Sequence, residues 1–347
     1  MVELVHGDLL KADVDALVNT VNCVGVMGKG VALQFKKAYP ENFKKYQSAC
    51  KNGDVRPGQM FVFPTNKLFG VKYIINFPTK DHWKTSSKIE YIQKGLDSLV
   101  SAIREKNISS IAIPPLGCGN GGLDWELIRP LIQERLSVLE PSVRVLLYEP
   151  SGAPVTQETI RTTAPALTIF KAAIIRLVSR YICWEDSLTR LEIQKLCYFQ
   201  KEAGDTAFKR LIFKTGKYGP YAGSLGHAMQ DMDGHYLCNC GDNENPLREI
   251  WPAPGADEKA AKIIEEQSPA TLRCLSKVFQ LIDGFETPAG MELLATVHWV
   301  AHYYDPPADN PQKAYEYVYE WNEHKAMAFK QKQIDIAWNR LKSLGWI

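Results

Sequence analysis

The stretch Val18-Asn19-Thr20-Val21-Asn22-Cys23-Val24-Gly25-Val26-Met27-Gly28-Lys29-Gly30-Val31-Ala32 constrains the fold more than any other part of the chain. An apolar run stops at two asparagines, glycines follow at 25, 28 and 30, and Val31 to Tyr39 then has helical apolar spacing. That order reads as strand, loop, helix. Gly25, Gly28 and Gly30 can take positive φ and let backbone N–H groups approach a ligand, and the helix N-terminus just beyond them suits anionic oxygens. The natural guest is a nucleotide diphosphate; the alternative is a β–α connection that binds nothing.

Short apolar runs at Val2 to Val5, Ala16 to Asn19, Met60 to Phe63, Tyr73 to Phe77, Ile111 to Ile113 and Val143 to Tyr148 read as strands buried on both faces. Helical patterns lie between them at Lys29 to Lys51, Ile89 to Lys106 and Trp125 to Leu139. This alternation predicts an α/β fold, a three-layer α/β/α sandwich. Ligands of such sheets collect beyond the carboxyl ends of the strands. Four loops fall there: Gly7-Asp8-Leu9, the opening loop, Pro78 to Trp83, and Leu116-Gly117-Cys118-Gly119-Asn120-Gly121-Gly122-Leu123-Asp124-Trp125. The last is a second glycine loop leading into a helix, so two such loops can embrace one diphosphate. Asp8 can accept a hydrogen bond from an exocyclic amine or serve as a helix cap. Asn19 and Asn22 can bond ribose hydroxyls or close the turn.

With 347 residues, the chain predicts about two domains. The N-terminus lacks the layout of a signal peptide and no apolar run reaches transmembrane length, so the expectation is a cytoplasmic protein without membrane contact. The eight cysteines are scattered, which favours reduced thiols. His235, Cys238 and Cys240 have no second ligand cluster beside them, so neither a metal nor another cofactor is expected.

Four motifs over roughly the first 150 residues resemble the macrodomain family: Gly7-Asp8-Leu9, the Asn19 to Ala32 loop, Phe77-Pro78-Thr79-Lys80, and Pro114-Pro115-Leu116 through Trp125. Macrodomains bind ADP-ribose on a mixed central sheet. Within them the chain is most similar to the DarG group of antitoxins, which remove ADP-ribose from thymidine in DNA after the toxin DarT has attached it. The resemblance implies that Asp8 holds the adenine, with Tyr148 packed against it. It places the 117 to 122 loop on the diphosphate and Asn22 on the distal ribose. The ligand-binding set so implied is Asp8, Leu9, Asn19, Gly28, Gly30, Val31, Thr79, Gly117, Cys118, Gly119, Asn120, Gly121, Gly122 and Tyr148, with Lys80 and Asn22 catalytic.

Lys80 follows a strand end that should face the cleft, where partial desolvation would lower its pKa and make it a nucleophile. In related terminal-ADP-ribose glycohydrolases a lysine at this place attacks the anomeric carbon, assisted by an aspartate in the phosphate loop. Here that aspartate position falls on Gly121, and the nearest carboxylate is Asp124. The lysine is expected either to attack or, protonated, to help the base leave. The substrate so implied is ADP-ribosylated single-stranded DNA and the product ADP-ribose. The rival readings are an ADP-ribose reader and a hydrolase of another ADP-ribosyl compound, such as a modified protein side chain or ADP-ribose 1″-phosphate.

Pro, Gly and Thr mark Glu149 to Ala164, and 153 to 164 reads as a linker between a macrodomain at 1 to 152 and a mostly α-helical domain at 165 to 347. Helices are predicted over Ala166 to Tyr181, Leu188 to Ala203, Ala260 to Phe285, Gly290 to Tyr303 and Pro311 to Leu341. Leu188 to Phe199 with Lys217-Tyr218-Gly219-Pro220-Tyr221 resembles the helical antitoxin domain called Panacea or SocA-like, which implies toxin binding. Residues 1 to 150 hold 19 Lys and Arg against 15 Asp and Glu, whereas 231 to 292 hold twelve acidic residues against five basic. That run includes Asp231, Asp233, Asp242, Glu244, Asp257, Glu258, Glu265 and Glu266. These eight are expected to form an acidic face that docks on the DNA groove of a DarT-type toxin.

Overall fold

Strand β2 (Ala16–Val21) alternates its side chains between two cores, which is why helices must cover both faces of its sheet. Ala16 and Val18 join one cluster with Ile75, Phe77, Ile111 and Leu147, while Leu17 joins the other with Ile74, Ala112 and Leu146. The sheet contains β1 (Val2–Val5), β2, β3 (Phe61–Pro64), β4 (Tyr73–Pro78), β5 (Ser110–Ile113) and β6 (Arg144–Tyr148), in the order β1-β6-β5-β2-β4-β3. Neighbours run parallel except β3 against β4, so the sheet is mixed. The structure, a computed structural model, describes residues 2–67, 70–150, 160–183, 188–240 and 249–347. It divides into two compact units, Met1–Thr163 and Ala164–Ile347.

Helices α3 (Ile89–Glu105) and α4 (Trp125–Leu136) bring Ile92, Leu96, Ile128 and Ile132 to the first cluster. On the other face α1 (Gly30–Ala38) supplies Phe35, and α2 (Pro40–Asn52) packs Tyr46 and Ala49 against Val21 and Met27. The single helix expected over Lys29 to Lys51 is therefore two. Pro40 opens the second at its first turn, where a missing N–H costs nothing, but it cannot continue the first. Gly95 lets α3 lie on the end of β4: a Cβ there would come within 2.2 Å of the Phe77 ring. Any side chain at 95 would displace the strand end that leads into Lys80.

In the second unit, α6 (Arg190–Glu202) and α10 (Pro288–His302) are the centre, with Arg190 through Gln200 and Met291 through Val300 buried without a break. A helix buried all round is a core element rather than a covering one. Around them lie α5 (Ile169–Ile182), α7 (Gly223–Met232), α8 (Ala256–Gln267), α9 (Pro269–Ile282), α11 (Pro311–Trp321), α12 (Glu323–Ala328) and α13 (Gln331–Ser343). The helix expected over Ala260 to Phe285 breaks at Ser268-Pro269, again with proline at a helix start. The one expected over Pro311 to Leu341 is three helices, because Asn322 turns its side chain onto the Lys325 N–H and caps α12. Helix α7 and two small hairpins, β7 (Lys214–Gly216) with β8 (Gly219–Tyr221) and β9 (Leu237–Cys238) with β10 (Trp251–Pro252), were not in the periodicity. Their strands are two or three residues long, too short to show a period of two.

Candidate active site

The order of the parallel strands sets out a linear site. At the β1/β6 edge Val5 is in register with Tyr148, and Asp8 lies three residues past Val5. The Asp8 carboxylate accepts from the Leu10 N–H and caps a turn of 3-10 helix, with buried Leu9 inside that turn. Its charge reaches Tyr148, whose hydroxyl is raised in pKa by burial first and by Asp8 second. The two residues expected at the adenine therefore lie together.

The glycine loops follow β5 and β2, the middle strands. Gly25 and Gly30 take positive φ, at 77° and 54°. Gly28, also expected to do so, does not. The N-cap residue of α1, Lys29, makes no side-chain cap bond to the helix. Gly30 meets the second loop directly: a Cβ there would lie 3.0 Å from Asn120 Nδ2. Val31 is half-buried against the Leu9 cluster.

In the second loop Gly117 and Gly122 have positive φ, at 73° and 76°. Gly119 has open space around it, whereas Gly121 is enclosed. A Cβ at Gly121 would sit 2.2 Å from Gly117 O and 2.3 Å from Ser87 Oγ, so an aspartate cannot occupy this position without moving the loop. Ser87 N–H also donates to Gly121 O at 2.9 Å, fastening the loop from below. Asp124 caps α4 through the Glu126 N–H. Cys118 is half-buried with its thiol pushed up to about 11, chiefly by burial, so it is no nucleophile at neutral pH.

Beyond them, β4 delivers Thr79 and Lys80. Thr79 is buried and its N–H donates to Val21 O. Lys80 Nζ donates to Asn120 O at 2.7 Å, so the amine bridges the β4 loop and the second glycine loop. Desolvation lowers its pKa.

Two of the expected ligand residues make bonds within the fold. Asn19 is wholly buried and donates to Asn76 Oδ1 at 3.0 Å; Asn76 in turn exchanges amide hydrogen bonds with Asn42 of α2. It ties β2 to β4 and, through Asn76, to α2, while its own Oδ1 is buried with no hydrogen-bond partner among the described residues. Asn22 spends its side chain on its own loop: Oδ1 accepts from Val24 N, Val26 N and Tyr46 OH, and Nδ2 donates to Val26 O at 2.6 Å. Tyr46, 24 residues away in sequence, carried no signal that it would hold this clasp.

The acidic face changes as well. Asp233 is only 2% exposed and accepts from the Cys240 N–H, so it belongs to the interior. Asp231 pairs with Lys171 and Asp257 with Arg176. Asp242 and Glu244 lie outside the described residues. Glu258, Glu265 and Glu266 remain exposed on α8, Glu266 with Lys262 at 3.9 Å. No described helix is long and apolar enough to cross a membrane.

Residues 18–132 match the Macro domain family. Over nearly its whole length the chain is similar to the DNA ADP-ribosyl glycohydrolase of Mycobacterium tuberculosis, 42% identical over 98% of this chain and 99% of that one. To the enzyme of the same name from Thermus aquaticus it is 41% identical over 99% and 94%. A DNA ADP-ribosyl transferase-DNA ADP-ribosyl glycohydrolase fusion protein of Thermosipho africanus is 35% identical over 42% of this chain and 41% of that one. An overall identity above 40% in an alignment that spans both units, including the helical one that the Macro match does not reach, decides the kinship: the chain belongs to the DarG family of DNA ADP-ribosyl glycohydrolases.

Proposed function

We propose that the first unit hydrolyses the bond between ADP-ribose and thymidine in single-stranded DNA, and that the second binds and neutralises a DarT-type toxin. The observation that carries the first half is Lys80, a partly desolvated amine held at the rim of the second glycine loop. Adenine lies at Asp8 and Tyr148, the diphosphate across the two glycine loops, and the distal ribose beyond them at Lys80. Asn22 acts by keeping its loop closed. The neutral Lys80 nitrogen attacks the anomeric carbon as the bond to the thymine nitrogen breaks, and the departing base takes the electron pair and the proton that the alkylated amine loses. Water then hydrolyses the ribosyl–lysine bond, freeing ADP-ribose and restoring the amine. The base must be unstacked for the anomeric carbon to reach the lysine, which suits a single strand. Release of ADP-ribose from an ADP-ribosylated thymidine oligonucleotide tests this. Lys80→Arg keeps a cation without a free amine, so it should be as inactive as Lys80→Ala while both still bind ADP-ribose. Activity in Lys80→Arg would make the lysine a charge and not a nucleophile, and wild-type binding without turnover would make the domain a reader.

Support for the second half is the fusion relative, in which a transferase and a glycohydrolase share one chain. Among the described residues, the acidic docking face rests on Glu258, Glu265 and Glu266, with Asp231 and Asp257 beside cationic partners. Reversing the three glutamates to lysine should weaken toxin binding and leave hydrolysis intact. Unchanged toxin affinity would sink this face.

A further inference from the structure

Three residues beyond Lys80, the same loop holds out a tryptophan that the chemistry at the anomeric carbon does not use. Trp83 is 51% exposed. Its ring stacks on His82 with centroids 5.4 Å apart and planes at 28°, and Lys84 Nζ lies 5.1 Å from its centroid. The loop under it is fastened at several points. Cys23 N–H donates to Asp81 O at 3.0 Å, Tyr91 OH to the Asp81 carboxylate at 2.5 Å, and Lys84 N–H to His82 Nδ1 at 3.2 Å. Thr85 adds its N–H and hydroxyl to His82 O, at 3.1 and 2.9 Å.

A large ring left in water forgoes the burial that usually stabilises it, and here the backbone is organised to keep it there. A rigid exposed aromatic flanked by cations is the arrangement on which single-stranded nucleic acid stacks its bases. Lys84 lies exposed beside the ring and Lys88 is exposed further along the same segment, over Tyr91, in a half of the chain that carries more basic than acidic residues. We propose that Trp83, backed by His82, is a stacking platform for a nucleobase next to the modified thymidine, with Lys84 and Lys88 taking the strand's phosphates. A stacked base outweighs an exposed cation–π contact, so Lys84 leaves the ring for a phosphate when the strand arrives. The platform makes the strand part of the substrate: the active site reads the ADP-ribosyl group, and Trp83 reads the DNA around it.

This inference rests on the proposed DNA substrate, and its test separates the two. Hydrolysis is measured on an ADP-ribosylated single-stranded oligonucleotide and on the isolated ADP-ribosyl-thymidine nucleoside, for wild type, Trp83→Ala and Trp83→Phe. Trp83→Ala should lower kcat/KM on the oligonucleotide about tenfold to a hundredfold, through KM, and leave the nucleoside reaction unchanged. Trp83→Phe should keep most of the wild-type value. Abasic flanking positions should cost wild type the same factor and cost Trp83→Ala nothing more. Equal losses on both substrates, or none on the oligonucleotide, overturn the platform alone. Wild-type protein that cleaves neither substrate overturns the proposed function, and the platform with it.

Discussion

Lys80 in the first unit and Lys195 in the second each donate to one backbone carbonyl, Asn120 O at 2.7 Å and Pro220 O at 2.8 Å, and desolvation lowers the pKa of both. Their settings then part. Lys80 is half-buried at a strand end among loops, where a ligand can reach the amine. Lys195 is 2% exposed inside α6, and its pKa falls to about 7 through burial first and the nearby Lys325 charge second, with Glu292 pulling the other way. Lys325 is itself buried, bonded to Glu292 at 2.7 Å and Thr296 at 2.9 Å. Partial burial at a cleft tunes an amine for chemistry, while full burial among partners makes it a fixed part of a helical core.

Four experiments test that contrast. Lys80→Ala should reduce turnover at least a hundredfold, with ADP-ribose binding and the melting temperature nearly unchanged, because its bond to Asn120 is a single surface contact. A large loss of stability would make Lys80 structural like its counterpart. Glu292→Leu should do the reverse. It strands the buried Lys325 ammonium, at a cost of about 3–5 kcal/mol, and should melt the second unit first in calorimetry while hydrolysis persists.

Gly121→Asp should lower ADP-ribose affinity about tenfold or more, measured by titration calorimetry, because any Cβ there clashes with Gly117 O and Ser87 Oγ. A gain in activity would show that the loop relaxes to accept the missing acid. The last effect is a slope. Lys195 titrates at about 7 in the folded chain against 10.5 as its ordinary value. Between those pH values the unfolded chain holds the extra proton, so stability of the second unit should rise with pH across that window and level off below about 7. Lys195→Met should flatten the denaturation midpoint against pH; an unchanged slope would assign it to another group.

Much of the first unit was legible because its signals are local. Strand runs, glycine loops and a lysine after Phe77-Pro78-Thr79 occupy contiguous residues, and the alternation of strands and helices fixes at which sheet edge they gather. What the local pattern left open has one source. Asn19 and Asn22 have the residue type for a ribose, yet what an amide bonds depends on which side chains the fold brings beside it: Asn76 for one, Val26 and Tyr46 for the other. Asp233 failed for the same reason, since a count of charges cannot tell a solvated carboxylate from one turned onto the Cys240 N–H.

The sequence by itself determined the layered α/β unit, the helical unit and the segments that meet at the cleft, because periodicity and glycine placement act over neighbouring residues. Only the tertiary structure decided that Lys80 reaches Asn120, that Ser87 closes the space at Gly121, and that Tyr46 clasps Asn22. Those contacts join residues 24 to 40 positions apart through packing, and hydrogen bonds formed across a core leave no trace in local pattern.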